Sequence, residues 1–189
     1  MKEKLLRLYN ECLQELQSIG INCEDKEIVG DIDIKISKRT AKRYGCCKQE
    51  EPDIRSKYRD NGRIKYNKFN KHHIEISKWV LDLNNDIIKN TIIHEIIHCM
   101  PYCNNHGKIF KQYARLVNEK LGYNISRLGN KEADYKKSNL LFEEKKVNYK
   151  YKIICTKCGQ VYFRQRYKKN MIKLYRCGIC KGMLKLENI

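Results

Sequence analysis

The chain has 189 residues, enough for one large or two small domains, and sets 40 Lys and Arg against 22 Asp and Glu for a formal net charge of +18. No apolar run approaches the roughly 18 residues of a membrane-spanning helix, and Glu3, Glu11 and Glu15 interrupt the stretch where the apolar core of an export signal would lie. Ten cysteines without such a signal read as thiols or metal ligands, not as a disulfide framework, and the expectation is a cytoplasmic protein, with no membrane role, whose charge favours a polyanionic partner or surface.

Along the chain, Leu5, Leu6, Leu8, Cys12, Leu13, Leu16 and Ile19 recur at helical spacing until Gly20, which predicts an amphipathic first helix. Ile28, Ile32, Ile34 and Ile36 alternate with charged residues as in a half-buried strand, with Asp31 and Asp33 on its exposed face. From Arg43 to Ile76, Tyr and Ile recur at short intervals broken by Pro52 and Asp60-Asn61-Gly62, which predicts two or three short antiparallel strands, the last over residues 72–77. Cys12, Cys23, Cys46 and Cys47 read as packing positions, and His72 and His73 as ordinary strand residues.

The strongest helix runs from about Leu83 to Met100, apolar around most of its circumference and therefore buried, with Pro101 ending it. Another follows from about Gly107 to Leu121, with Ile109, Phe110, Tyr113, Ala114 and Val117 inward and Gly122 closing it. Residues 129–148 are polar and read as a linker.

His94-Glu95-Ile96-Ile97-His98 lies inside the isoleucine-rich helix. A four-residue step puts both imidazoles on one face, one turn apart, where they reach one metal ion, and leaves Glu95 beside them as a general base for a water activated by that metal. Burying two imidazoles and a carboxylate among isoleucines costs several kcal/mol unless something satisfies them. A third ligand is needed: His106, after the short loop Pro101–Asn105, is preferred, with Glu119 and Cys103 as rivals. The spacing from His98 to His106 does not fit the metzincin pattern.

These residues resemble the SprT/Spartan metalloprotease domain: His94-Glu95-x-x-His98 preceded by Thr91, then His106-Gly107-x-x-Phe110, with Arg39-Thr40-Ala41-Lys42-Arg43-Tyr44-Gly45 similar to the segment leading into that family's small sheet. The resemblance implies a zincin-like fold, catalytic zinc on His94, His98 and His106, Glu95 as catalytic base, and a substrate class of proteins crosslinked to DNA. Cys99 and Cys103 beside the site depart from the pattern.

Cys155-x-x-Cys158 and Cys177-x-x-Cys180 have the spacing of a structural zinc site, whose four thiolates leave no open position for catalysis. This is the pattern of a zinc ribbon folded largely by its metal. Residues 145–189 carry 13 Lys and Arg against the single acid Glu187. Lys150, Lys152, Arg164, Arg166, Lys168, Lys169, Lys173 and Arg176 are interleaved with Tyr149, Tyr151, Phe163, Tyr167 and Tyr175. Bases of that kind neutralise phosphates, and the rings offer stacking faces for unpaired bases, so DNA is expected as a partner, single-stranded and without sequence specificity.

The sequence thus predicts an α+β chain: a SprT-like zincin catalytic domain with a small antiparallel sheet over residues 1–128, a linker over 129–148, and a basic four-cysteine zinc ribbon over 149–189. The expected activity is that of a zinc metalloprotease on DNA-bound or DNA-crosslinked proteins. The rivals are a non-catalytic zinc-containing DNA-binding or regulatory protein, for which Glu95 would have no use, and a protease for one regulator without DNA dependence.

Overall fold

Apolar faces along the N-terminal half need covering, and the computed structural model, which describes residues 1–37, 42–143 and 148–188, shows where they meet. The chain mixes helices with small sheets in two compact units, Met1–Phe142 and Glu143–Ile189. Among the described residues no helix is long and apolar enough to cross a membrane.

In the first unit, α1 (Lys2–Ser18) buries Leu5, Leu8, Cys12 and Leu16, a stripe at helical spacing. That stripe rests on α2 (Asn85–Ile97), which is also packed by the sheet and by α3 (Lys108–Leu121). The central helix is capped by Asn84, whose side chain accepts the Ile87 N–H at 3.0 Å. Its isoleucines 87, 88, 92, 93, 96 and 97 are all buried, as an apolar circumference requires. Ile92→Ala at the centre of this packing is expected to cost about 2–5 kcal/mol, read as a lowered midpoint in denaturant unfolding.

The sheet differs from the expectation of antiparallel strands alone. Its order is β1-β5-β2, with β1 (Asp31–Ser37) parallel to β5 (Phe69–Ser77) and β2 (Gly45–Pro52) antiparallel to it. A separate hairpin, β3 (Lys57–Asp60) and β4 (Arg63–Tyr66), turns through Asn61-Gly62. The long excursion through β2 and the hairpin supplies the connection that parallel pairing needs. Register Ile34↔Ile74 and Ile36↔Ile76 then puts both isoleucine rows on one face. Ile28, expected in the first strand, stands before it and is exposed.

Parity sorts the sheet into two chemistries. Gly45, Cys47 and Gln49 share a face with His72, Ile74 and Ile76 and with Ile32, Ile34 and Ile36, and β2 and β5 both pack on α2. The other face is charged: Glu75 accepts Lys48 at 2.5 Å with Lys35 at 3.8 Å, and His73 lies 3.3 Å from Asp33 and 3.2 Å from Glu50.

The stretch expected to be a linker contains α4 (Lys131–Lys137), capped by Asn130. The Tyr44 hydroxyl donates to Asp134 at 2.5 Å, and Tyr135 stacks on Trp79 at 5.9 Å, so this helix is part of the first unit.

The second unit is a three-stranded antiparallel sheet, order β7-β6-β8, built from β6 (Tyr151–Cys155), β7 (Val161–Arg164) and β8 (Leu184–Asn188), with the short α5 (Met171–Leu174) between the last two. Among its described residues only Ile153, Cys155 and Cys177 belong to the buried apolar set, far too few to hold a fold alone.

Candidate functional site

His94 and His98 stand one turn apart on α2 with ring centroids 5.1 Å apart. Beyond His98 the chain turns through Pro101–Asn105 with Tyr102 at φ 64°. Three bonds tie down this turn: the Tyr102 N–H donates to the Asn67 carbonyl at 2.7 Å, the Asn104 amide donates to the Tyr66 carbonyl at 2.5 Å, and Gln49 Nε2 donates to Asn104 Oδ1 at 3.2 Å. The turn delivers His106, whose Nε2 lies 2.9 Å from His94 Nε2 and 3.3 Å from His98 Nε2. A tetrahedral zinc ion with bonds of about 2.0–2.1 Å would set its nitrogens roughly 3.3 Å apart, so this donor set fits that ion.

The surroundings prepare those nitrogens. His98 Nδ1 donates to the Cys103 carbonyl at 2.7 Å, which fixes the tautomer and leaves the Nε2 lone pair free. His94 bonds to the backbone of Ser126, and burial, with His98 and His106 close by, pushes its pKa down to about 3. Burial also lowers His98 and His106, the latter with Arg127 contributing. At neutral pH all three rings are therefore uncharged, the form that binds metal. Phe110 on α3 packs its ring 4.6–4.9 Å from each of the three.

The Glu95 carboxylate lies against β2 and lines the same cleft as the three imidazoles. It is 6 % exposed and takes a hydrogen bond from the backbone of Cys47. Burial, and then negative charge at Cys47, pushes its pKa up to about 8. A Cβ on Gly45 would lie 2.9 Å from Glu95 Oε1, so β2 approaches the carboxylate as closely as it does only because residue 45 has no side chain. That Cβ would also lie 3.2 Å from the Glu75 carbonyl of β5, so Gly45→Ala is expected to displace this carboxylate and to lower Tm in thermal unfolding.

These residues line a cleft of about 850 Å³. Arg43, Gln49, Arg127 and Leu128 contribute to its walls, and none of them was singled out in the sequence as a site residue. Strand parity is the signal that would have found Gly45, Cys47 and Gln49. Of the rivals for third ligand, Glu119 is exposed on α3, and Cys103 is fully buried, its carbonyl accepting from His98 and its N–H donating to the Met100 carbonyl. Neither joins the cluster of His94, His98 and His106. Arg39, Thr40 and Ala41 lie outside the described residues.

In the second unit Cys155, Cys158, Cys177 and Cys180 converge, with Sγ atoms 3.4 Å apart for Cys155 and Cys180 and 3.6 Å for Cys158 and Cys177. The Lys157 N–H donates to Cys155 Sγ at 3.4 Å, and the Tyr162 hydroxyl lies 3.2 Å from Cys177 Sγ, contacts that suit thiolates. A Cβ on Gly182 would lie 2.9 Å from Cys155 Sγ.

The basic residues of this unit do not form one face. Register pairs Tyr151 with Arg164 and Lys152 with Phe163, so Lys152 and Arg164 project from opposite sides of the sheet. Lys152 is also paired with Glu187 at 3.2 Å. Lys150, Arg164, Arg166, Lys168, Lys169, Lys173 and Arg176 are exposed. Two ring pairs accompany them, Tyr149 with Phe163 at 5.6 Å and Tyr151 with Tyr167 at 5.5 Å.

The SprT-like family model matches residues 6–129. The chain is 34% identical over 116 residues to Protein SprT-like of Oceanobacillus iheyensis, covering 61% of this chain and 69% of that protein. It is 30% identical over 117 residues to Protein SprT-like of Lactococcus lactis, covering 61% and 67% respectively.

Proposed function

The chain belongs to the SprT-like family, and from that premise we propose that it is a zinc metallopeptidase of zincin-like fold that cleaves DNA-bound or DNA-crosslinked proteins. His94, His98 and His106 would hold the catalytic zinc, and Cys155, Cys158, Cys177 and Cys180 a structural one. The observation that carries this reading is Glu95, a buried carboxylate adjoining three converging imidazoles, because a metal kept for structure alone needs no base beside it.

A bound zinc ion supplies Lewis-acid polarisation of the scissile carbonyl and of the attacking water. The chain supplies the rest. Glu95 receives the proton lost by the attacking water and returns it to the departing amine. The Cys47 N–H holds that carboxylate in position, and Gly45 gives it room. Zinc on the imidazoles, if bound, would oppose the effect of burial and favour the ionised, basic form of Glu95. The cleft, walled partly by Arg43 and Arg127, receives the polypeptide.

The second unit would hold the DNA through Lys150, Lys152, Arg164, Arg166, Lys168, Lys169, Lys173 and Arg176, with Tyr149, Phe163 and Tyr175 stacking on unpaired bases. The test is cleavage of one protein, free and covalently attached to single-stranded or duplex DNA, by the zinc-loaded chain. We expect faster cleavage of the protein on single-stranded DNA. Changing Arg164, Arg166, Lys168 and Lys169 together to Gln should weaken DNA binding and lower its salt slope by about 0.7 per lost phosphate contact. Equal cleavage of free and attached protein would leave a protease without DNA dependence. No cleavage in any arm would sink the enzymatic reading.

A further inference from the structure

Cys47, His72 and Cys99 come from three separated segments, β2, β5 and the turn that follows α2, yet their ligand atoms lie within 4.8 Å of one another. Cys47 Sγ is 3.6 Å from Cys99 Sγ and 3.8 Å from His72 Nδ1. A tetrahedral zinc ion with Zn–S of about 2.3 Å and Zn–N of about 2.0–2.1 Å would set two sulfurs roughly 3.8 Å apart and a sulfur and a nitrogen roughly 3.6 Å apart. Both observed separations match those edges within a few tenths of an ångström. The spacing also matches that of the four ribbon thiols.

His72 is oriented as a ligand. It is 1 % exposed, in a core where an ordinary histidine finds few partners. Its Nε2 lies 3.2 Å from the Phe69 carbonyl, which only accepts, so the ring proton sits there and the Nδ1 lone pair faces the sulfurs. His98 is held the same way, by a carbonyl on the ring nitrogen remote from its cluster. Cys99 is 3 % exposed and Cys47 half-buried.

We propose that Cys47, His72 and Cys99 form a further metal site, separate from the imidazole cluster and from the ribbon, for a thiophilic d10 cation of which zinc is the first choice. Two thiols give up their protons to solvent on binding, and the two thiolates neutralise the dication. Among the described residues no fourth side chain joins these three. The site joins β2 to the end of α2 directly behind Glu95, since Cys47 supplies the backbone N–H that holds that carboxylate.

The test is 113Cd NMR of the full-length chain exchanged into 113Cd2+, because cadmium resonances separate by the number of sulfur ligands. Three resonances are expected, from sites with four, two and no sulfurs. Cys47→Ser, and independently His72→Gln, should remove or shift the two-sulfur resonance alone, and Cys103→Ser, a buried thiol outside the cluster, should leave all three. A wild-type spectrum without the two-sulfur resonance overturns the site, including the case in which mass spectrometry finds Cys47 and Cys99 joined as a disulfide. So does a two-sulfur resonance that survives both variants. The wild-type spectrum decides even where a variant fails to fold. The inference stands apart from the proposed peptidase activity, whose failure would appear as absence of cleavage and would leave the two-sulfur resonance in place.

Discussion

Glu95→Gln is expected to reduce peptide cleavage by about 10²–10⁴-fold, the usual contribution of a positioned general base, with no loss of metal per chain. The amide keeps the shape of the carboxylate and fits the same space against Gly45, where a Cβ would already lie 2.9 Å from Oε1. What it loses is the ability to take a proton. The metal-free chain gives a second readout, in stability. Burial raises Glu95 from its ordinary 4.5 to about 8, so between those values the folded chain holds a proton that the unfolded chain has released. Stability from this group is therefore fully present below about pH 4.5 and lost as pH rises toward 8. Without metal, Glu95→Gln should be more stable than wild type above pH 8 and indistinguishable from it below pH 4.5. Undiminished cleavage by the variant would remove Glu95 from the mechanism.

Chelation is expected to unfold residues 148–188 and to spare the first unit. The second unit buries Ile153, Cys155 and Cys177 and little else among its described residues, while zinc on four thiolates is worth about 10–16 kcal/mol of apparent binding energy in comparable small modules. The first unit has α2 and its isoleucines, which no metal needs to hold. Limited proteolysis after chelator treatment should leave a protected fragment ending near Phe142, and zinc should restore protection to the whole chain. If residues 148–188 resist protease equally without metal, the four cysteines are ordinary core residues.

What the sequence made legible depended on whether a local period carried it. The isoleucines of α2 recur with helical spacing, and the same spacing put His94 and His98 on one face with Glu95 beside them. The four ribbon cysteines announced themselves by separation alone. The parallel pairing of β1 with β5 could not be read, because alternation tells which residues share a face and says nothing about which strand lies alongside. The helix α4 was hidden for a related reason: its seven residues are mostly polar, and they gain their place from Trp79 and Tyr44, far away in sequence. Cys47 reads as a packing residue and His72 as an ordinary strand residue because nothing local links β2, β5 and the end of α2. Only the register Cys47↔Ile74 and Gln49↔His72 brings them together.

The third imidazole comes from a turn that is anchored sideways. Tyr102 and Asn104 hang on Asn67 and Tyr66 at the foot of the β3–β4 hairpin, and Asn104 also accepts from Gln49 of β2. That hairpin is a two-stranded ribbon with mostly exposed side chains, a structure of marginal stability by itself. Because those bonds help to place His106, the affinity the cluster would have for an ion and the order of the hairpin would be thermodynamically linked, each drawing on the other. An ion held by the imidazoles would therefore quiet the neighbouring hairpin, and fraying of that hairpin would offer a route for the ion to leave.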